Sequence, residues 1–132
     1  MTGVVEVVQA AIVLTLKADP DVWAAVSGIF DGAPPRAPFP YIVIGNGLSS
    51  DWSTKTEVGR ELRIPLTIWD DGEEPARLQR LIAAVEAAMA GLPRDLNGWR
   101  IVSSLFLRSM VVRDPTGPWA GLIEHRIRVF AL

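Results

Sequence analysis

The chain has 132 residues, with 13 Lys and Arg against 15 Asp and Glu, for a formal net charge of −2. That length fits one domain over residues 1–132, and that charge leaves no footprint for bulk nucleic-acid binding. There is no cysteine, which excludes disulfides, thiolate nucleophiles and cysteine-type zinc sites. Hydrophobic residues are 49% of the chain and mean hydropathy is +0.26. This is high for a free monomer, so the surplus apolar surface is either extra core or surface buried between subunits.

Met1 to Leu16 is rich in Val, Ile and Leu, but Glu6 and Gln9 interrupt it and no basic segment precedes it. It therefore reads as an amphipathic helix to about Lys17, neither a secretory leader nor a membrane span. Thr2 is its expected N-cap. Val4, Val8, Ala11, Ile12 and Leu16 share one face, and Val7 and Leu14 widen the stripe. A stripe that wide predicts two packing partners, a sheet and a neighbouring subunit. Asp19 and Pro20 suit an N-cap and first helical position, so Asp19 to Ser27 reads as a second helix with Trp23 on its core side. Gly28 is its expected end.

Ile29-Phe30 is short enough for an edge strand. Four prolines between Asp31 and Pro40 then impose a stiff, extended connector. Tyr41 to Ile44 is an apolar strand. Gly45 to Arg60 reads as a long polar loop with Trp52 near its tip. Glu61 to Trp69 alternates, with Leu62, Ile64, Leu66 and Ile68 on one side, which is the period of a half-buried strand. Pro65 within it marks an edge or bulge position.

Asp70, Asp71, Glu73, Glu74 and Pro75 open a helix that runs to about Ala90 and stops at Gly91 and Pro93. Leu78, Leu81, Ile82, Val85 and Met89 form its buried face, with Arg77 and Arg80 toward solvent. Asp95 to Gly98 is a turn signal. Trp99 to Val112 is a long strand, bulged near Ser103-Ser104. Trp119 to Leu132 is the last strand and forms an antiparallel hairpin with it across Asp114 to Pro118. The fold class is α+β, an antiparallel-dominated sheet with the long helix packed on one face.

Chemistry is sparse. His125, the sole histidine, stands at an inward position of the last strand, and no serine or cysteine motif supplies a partner. The acids at 70–74 are explained by helix opening, and their spacing matches no calcium loop. Gly45-Asn46-Gly47 is followed by no helix and lacks the Gly-Lys-Ser/Thr of a phosphate loop. No metal-ligand spacing occurs, and no catalytic residue, cofactor or metal is expected. Lys55, Arg60 and Arg63 beside Trp52 form a small basic set offset by Glu57 and Glu61. Arg108, Arg113, Arg126 and Arg128 form a second on the last two strands, tempered by Glu124 and Asp114.

Four pieces in chain order carry a resemblance: Ile29 to Pro35 (IFDGAPP), Phe39 to Gly45 (FPYIVIG), Asp51 to Thr56 (DWSTKT) and Leu66 to Trp69 (LTIW). Together they resemble the phage tail completion, or tail terminator, family, most of all its members in gene transfer agents and alphaproteobacterial prophages. The resemblance implies a tail-terminator-like fold and structural work without catalysis. Such proteins form a hexameric ring on the head-proximal end of the tail tube and meet a head-side connector. The implied partners are copies of itself, the tail tube protein and the head-side connector or stopper. DNA passes through the lumen without sequence-specific binding, and no membrane is involved. The implied place is the neck of a virion or phage-like particle assembled in the bacterial cytoplasm. A ring uses head-to-tail contacts, so each subunit presents two different patches.

The resemblance carries no residue-level functional set, so candidate interface residues come from exposure and loop position. They are Leu48, Asp51, Trp52, Thr54, Lys55 and Arg60 around the long loop, Trp119, and the strand pair Arg126 and Arg128. Two alternatives stand beside this reading. One is another neck protein, a head-closure or adaptor protein of the same particle. The other is a small hydrolytic or ligand-binding domain that uses His125 with a nearby carboxylate.

Overall fold

Leu62, Ile64, Leu66 and Ile68 are each fully buried, so the period-two pattern forms one face of strand β4 (Gly59–Asp70). A computed structural model describes residues 3–34, 36–113 and 115–132. In it β4 is central. Along one side it pairs over its whole length with β7 (Trp119–Ala131), antiparallel, from Gly59 opposite Phe130 to Asp70 opposite Trp119. Its other side is shared. β2 (Tyr41–Ile44) covers Leu66 to Trp69, and β3 (Leu48–Asp51) covers Arg60 to Arg63, both antiparallel.

Pro65 sits between those two stretches. Its carbonyl accepts from the Gly45 amide at 2.8 Å, where the chain passes from β2 to β3. A residue's N–H and C=O point to the same side of a strand, so the donor that proline lacks falls where no strand asks for it. Pro65 is thus not on an edge strand, but it does stand at an irregularity, since residues 45–47 lie opposite only Ile64 and Pro65. It occupies a local gap inside the central strand.

The strand order is β1-β2-β4-β7-β6-β5, with β3 beside β4. β1 (Ile29–Asp31) is the edge strand expected and runs parallel to β2, while the other described pairings are antiparallel. β6 (Trp99–Arg113) pairs with β7, with register shifts between Ile101 and Ser103 and between Phe106 and Arg108. The first falls beside the expected bulge. β5 (Asp95–Leu96) turns through Gly98, at φ 79°, and reaches only Trp99 and Arg100. From Val102 onward the outer edge of β6 has no strand partner among the described residues.

Two helices pack on the same face of the sheet. α1 (Val4–Ala18) buries Val4, Val8, Ile12 and Leu16 in one apolar cluster with the inner residues of β2, β4 and β7. Its expected cap, Thr2, lies outside the described residues. Gln9 is buried as well and donates from Nε2 to Asp31 Oδ1 at 2.7 Å, tying α1 to the edge of the sheet. α2 (Pro20–Trp23) begins as read, with Asp19 Oδ1 accepting from the amides of Asp21 and Val22 at 3.0 and 3.1 Å. It ends at Trp23, well short of Ser27 and Gly28. Val22 points inward and Trp23 is 46% exposed, correcting the expectation that Trp23 faces the core. One turn of helix has a single inward position, and the smaller valine takes it.

α3 (Ala76–Ala88) continues as a 3-10 turn, Met89–Gly91, and buries Leu78, Leu81, Ile82, Val85 and Met89 as their spacing dictates. The acids before it do not cap it: the N-cap is Pro75 and the first turn holds no acidic residue. Asp70 instead turns inward and is fully buried, paired with Arg77. Arg77 Nε donates to Asp70 Oδ2 at 3.0 Å while its side chain stays exposed, so Arg77 faces solvent as read and also holds the buried acid. α3 rides close on β7 because Gly121 lies beneath it. A Cβ there would come within 2.8 Å of Leu78 Cδ1 and 3.0 Å of Ile82 Cδ1.

Candidate functional site

Both helices occupy one face of the sheet, which leaves the other without a helical cover. Alternation along β4 and β7 decides what stands there: Glu61, Arg63, Pro65, Thr67 and Trp69 from β4, and Leu122, Glu124, Arg126, Arg128 and Phe130 from β7. The registers Leu105 opposite Arg126, Arg108 opposite Glu124 and Met110 opposite Leu122 add β6. This open face has two halves. Toward Trp69 it is apolar, and Met110, Val112 and Leu122 there are exposed. Pro65, Met110 and Leu122 line a hollow of about 280 Å³ that also touches Arg108 and Glu124.

The other half is charged. Arg128 Nε donates to Glu61 Oε1 at 2.9 Å, and Arg126 Nε lies 3.9 Å from the same oxygen. Arg108 Nε donates to Glu124 Oε2 at 3.1 Å and Arg63 Nη1 to Oε1 at 3.5 Å. The pairs are cross-strand neighbours by register: Glu61 opposite Arg128, Arg63 opposite Arg126 and Arg108 opposite Glu124. Arg126 Nε is buried and has no hydrogen-bond partner.

The candidate interface residues do not form one surface. The stretch 45–60 is no long loop. Leu48–Asp51 is strand β3, folded back on β4, and only residues 52–58 connect them. Trp52 N donates to Gly59 O, and Thr54 N to Glu57 O, each at 2.9 Å. Gly59 is needed there because a Cβ would sit 2.4 Å from the Trp52 carbonyl oxygen. Asp51 accepts from Ser53, Thr54 Oγ1 accepts from the amides of Thr56 and Glu57, and Arg60 donates to Ser49 Oγ at 3.1 Å. Lys55 is exposed at the turn, and Leu48 is 67% exposed.

Trp52 is not at a free tip. It stacks on Phe130, with Arg128 5.1 Å from its ring, so the fold brings Trp52, Arg126 and Arg128 together with Glu61 and Phe130. Trp119 stands apart at the other end of β7, with Nε1 donating to the Gly72 carbonyl at 2.8 Å and Arg113 over its ring. Glu61, Glu124 and Phe130 were missed. Their shared side of the sheet was legible, but the pairing needed the register of β4 against β7.

His125 is buried on the helix face, edge-on to Phe106, and its Nδ1 has no hydrogen-bond partner. Burial lowers its pKa from the ordinary histidine value. It borders a hollow of about 360 Å³ between the end of α3 and the bulged part of β6, shared with Glu86, Arg94, Ser103 and Ser104. Among the described residues no group of three or more His, Asp or Glu is placed to hold a metal ion, and no helix is long and apolar enough to cross a membrane.

The family model of tail completion protein gp17 matches residues 10–129, from the middle of α1 to near the end of β7. The chain belongs to the tail completion protein gp17 family. Tail completion protein gp17 of Bacillus phage SPP1 is 25% identical over 122 residues, covering 92% of this chain and 90% of that protein. A chain in the virion of a native gene transfer agent particle superimposes with a TM-score of 0.86 at 26% identity, covering 99% of this chain and all of that one. The solved structure of SPP1 gp17 shares the fold with this tail completion family member, at a TM-score of 0.65 and 23% identity over 95% of this chain and 88% of that one.

Proposed function

We propose that this protein is the structural tail terminator of a phage-like particle, one tail-terminator-like domain over residues 1–132. Copies of the chain form a hexameric ring that caps the tail tube and joins it to the head-side connector or stopper. It works without catalysis, and DNA passes through the lumen without sequence-specific contact. Its place is the neck of the particle, which is assembled in the bacterial cytoplasm. The observation that carries the reading is the near end-to-end superposition on a chain of a gene transfer agent virion at 26% identity. The uncovered sheet face supports it, since exposed apolar area beside paired charges is what a subunit contact requires.

The test is light scattering and electron microscopy of the purified chain, alone and with tail tubes. Six-fold rings, free or on tube ends, are expected. Monomers under both conditions would overturn the ring. A second reading, a head-closure or adaptor protein of the same neck, predicts that the chain binds connectors and leaves bare tubes untouched.

A further inference from the structure

Four guanidinium groups on the open face, those of Arg63, Arg108, Arg126 and Arg128, share two carboxylates, Glu61 and Glu124. The cluster carries an excess of positive charge, and Arg126 Nε makes an ion pair with Glu61 at 3.9 Å but no hydrogen bond among the described residues. An arginine offers five N–H donors in a fixed fork that fits a carboxylate with two parallel bonds. The group that completes this cluster is a further carboxylate.

Spare carboxylates stand at the other end of the same strand. β4 runs from Glu61 to Asp70 and into the 71–75 segment, about 30 Å away at the rise of an extended strand. Asp70 is spent on Arg77, and Asp71 is 3.4 Å from that arginine with its side chain 61% exposed. Glu73 and Glu74 are exposed and form no ion pair among the described residues. One chain thus holds surplus cations on its open face and unpaired acids at its strand end. A two-fold contact through the open face would set arginine against arginine. A head-to-tail contact sets arginine against acid.

We propose that the Asp71–Glu74 segment of one copy docks on the Arg63–Arg108–Arg126–Arg128 cluster of the next, which rests on the ring reading above. A protein occupant fits better than DNA phosphate. The hollow beside Arg108 is lined by Pro65, Met110 and Leu122, which suits side chains. The nearby aromatic ring, Trp52, is already engaged by Phe130 and Arg128 of its own chain. The net charge of −2 gives no long-range pull on a polyanion.

The test is charge reversal on each side, read by sedimentation at low and high salt. Glu73→Arg with Glu74→Arg weakens self-association by about tenfold or more, as does Arg126→Glu with Arg128→Glu. All four changes in one chain restore it. The acidic-side variant breaks no ion pair of its own chain, so it decides the matter even where the arginine variant fails to fold. Rings that persist through the acidic-side reversal overturn the docking and leave the ring reading standing. Wild-type chains that stay monomeric with and without tubes overturn both. A fluorescent 20-base-pair duplex is the second probe. Duplex binding at physiological salt that is lost in the arginine variant, with rings intact, assigns the face to DNA and overturns the proposal.

Discussion

Trp52 lies flat on Phe130, with ring centroids 4.9 Å apart and planes 22° from parallel, so the β3–β4 connection is fastened to the last strand. Arg128, one further side chain on that face of β7, closes over the same indole. The aromatic that looked like a contact for a partner belongs first to its own domain.

Trp52→Ala therefore lowers stability by about 1–3 kcal/mol, from lost area, stacking and cation–π contact. Urea titration of the monomeric domain measures it. An unchanged midpoint would return Trp52 to the role of a free interface residue. Lys55→Ala, at the exposed turn, leaves the midpoint within about 0.5 kcal/mol.

Arg77→Met strands the Asp70 carboxylate in the interior at a cost of about 1–3 kcal/mol. In the wild type the hydrogen bond from Arg77 holds Asp70 below the usual carboxylate range, against the opposing effect of burial. A depressed acid contributes stability above its unfolded pKa, near 3.8, and loses it as pH falls below that. Thermal melts between about pH 5 and pH 2 show this loss in the wild type. In Arg77→Met the same slope flattens.

Gly121→Val forces a Cβ and two methyl groups into the space held by Leu78 and Ile82. The variant loses about 1–3 kcal/mol, and calorimetry registers a lower Tm. Shortening both neighbours, Leu78→Ala with Ile82→Ala, makes the valine less costly than in the wild-type background, because the clash is relieved.

Burial disfavours the charged form of His125 in the fold and lowers its pKa. The unfolded chain takes up a proton as pH falls through the ordinary histidine value of 6.5 while the folded chain resists, so stability drops below that pH. His125→Gln removes the step between about pH 7 and pH 5 in urea titrations. A step of the same size in the variant would show that another group carries it.

Periodicity made the inner faces legible. The alternating residues of β4 and the Leu78 to Met89 stripe of α3 could hardly be buried another way. What stayed hidden depended on partners distant in sequence. Leu48–Asp51 is polar and exposed, with no apolar alternation to announce a strand, and it is one because β4 offers it a free edge. Asp70 read as a helix-opening acid until Arg77, seven residues later, claimed it. The cross-strand pairs of Glu61 and Glu124 require register, which neither residue type nor spacing reveals. The family resemblance, carried by four short pieces, reached the fold but assigned no residue on the open face.

The two register shifts in β6 matter beyond the hairpin that contains them. A bare strand edge invites another copy to extend the sheet, and such growth has no natural end. This edge is kinked near Ser103 and again near Arg108, so its hydrogen-bonding groups do not line up for one continuous partner. A strand from another copy would therefore find no continuous ladder to extend along this edge.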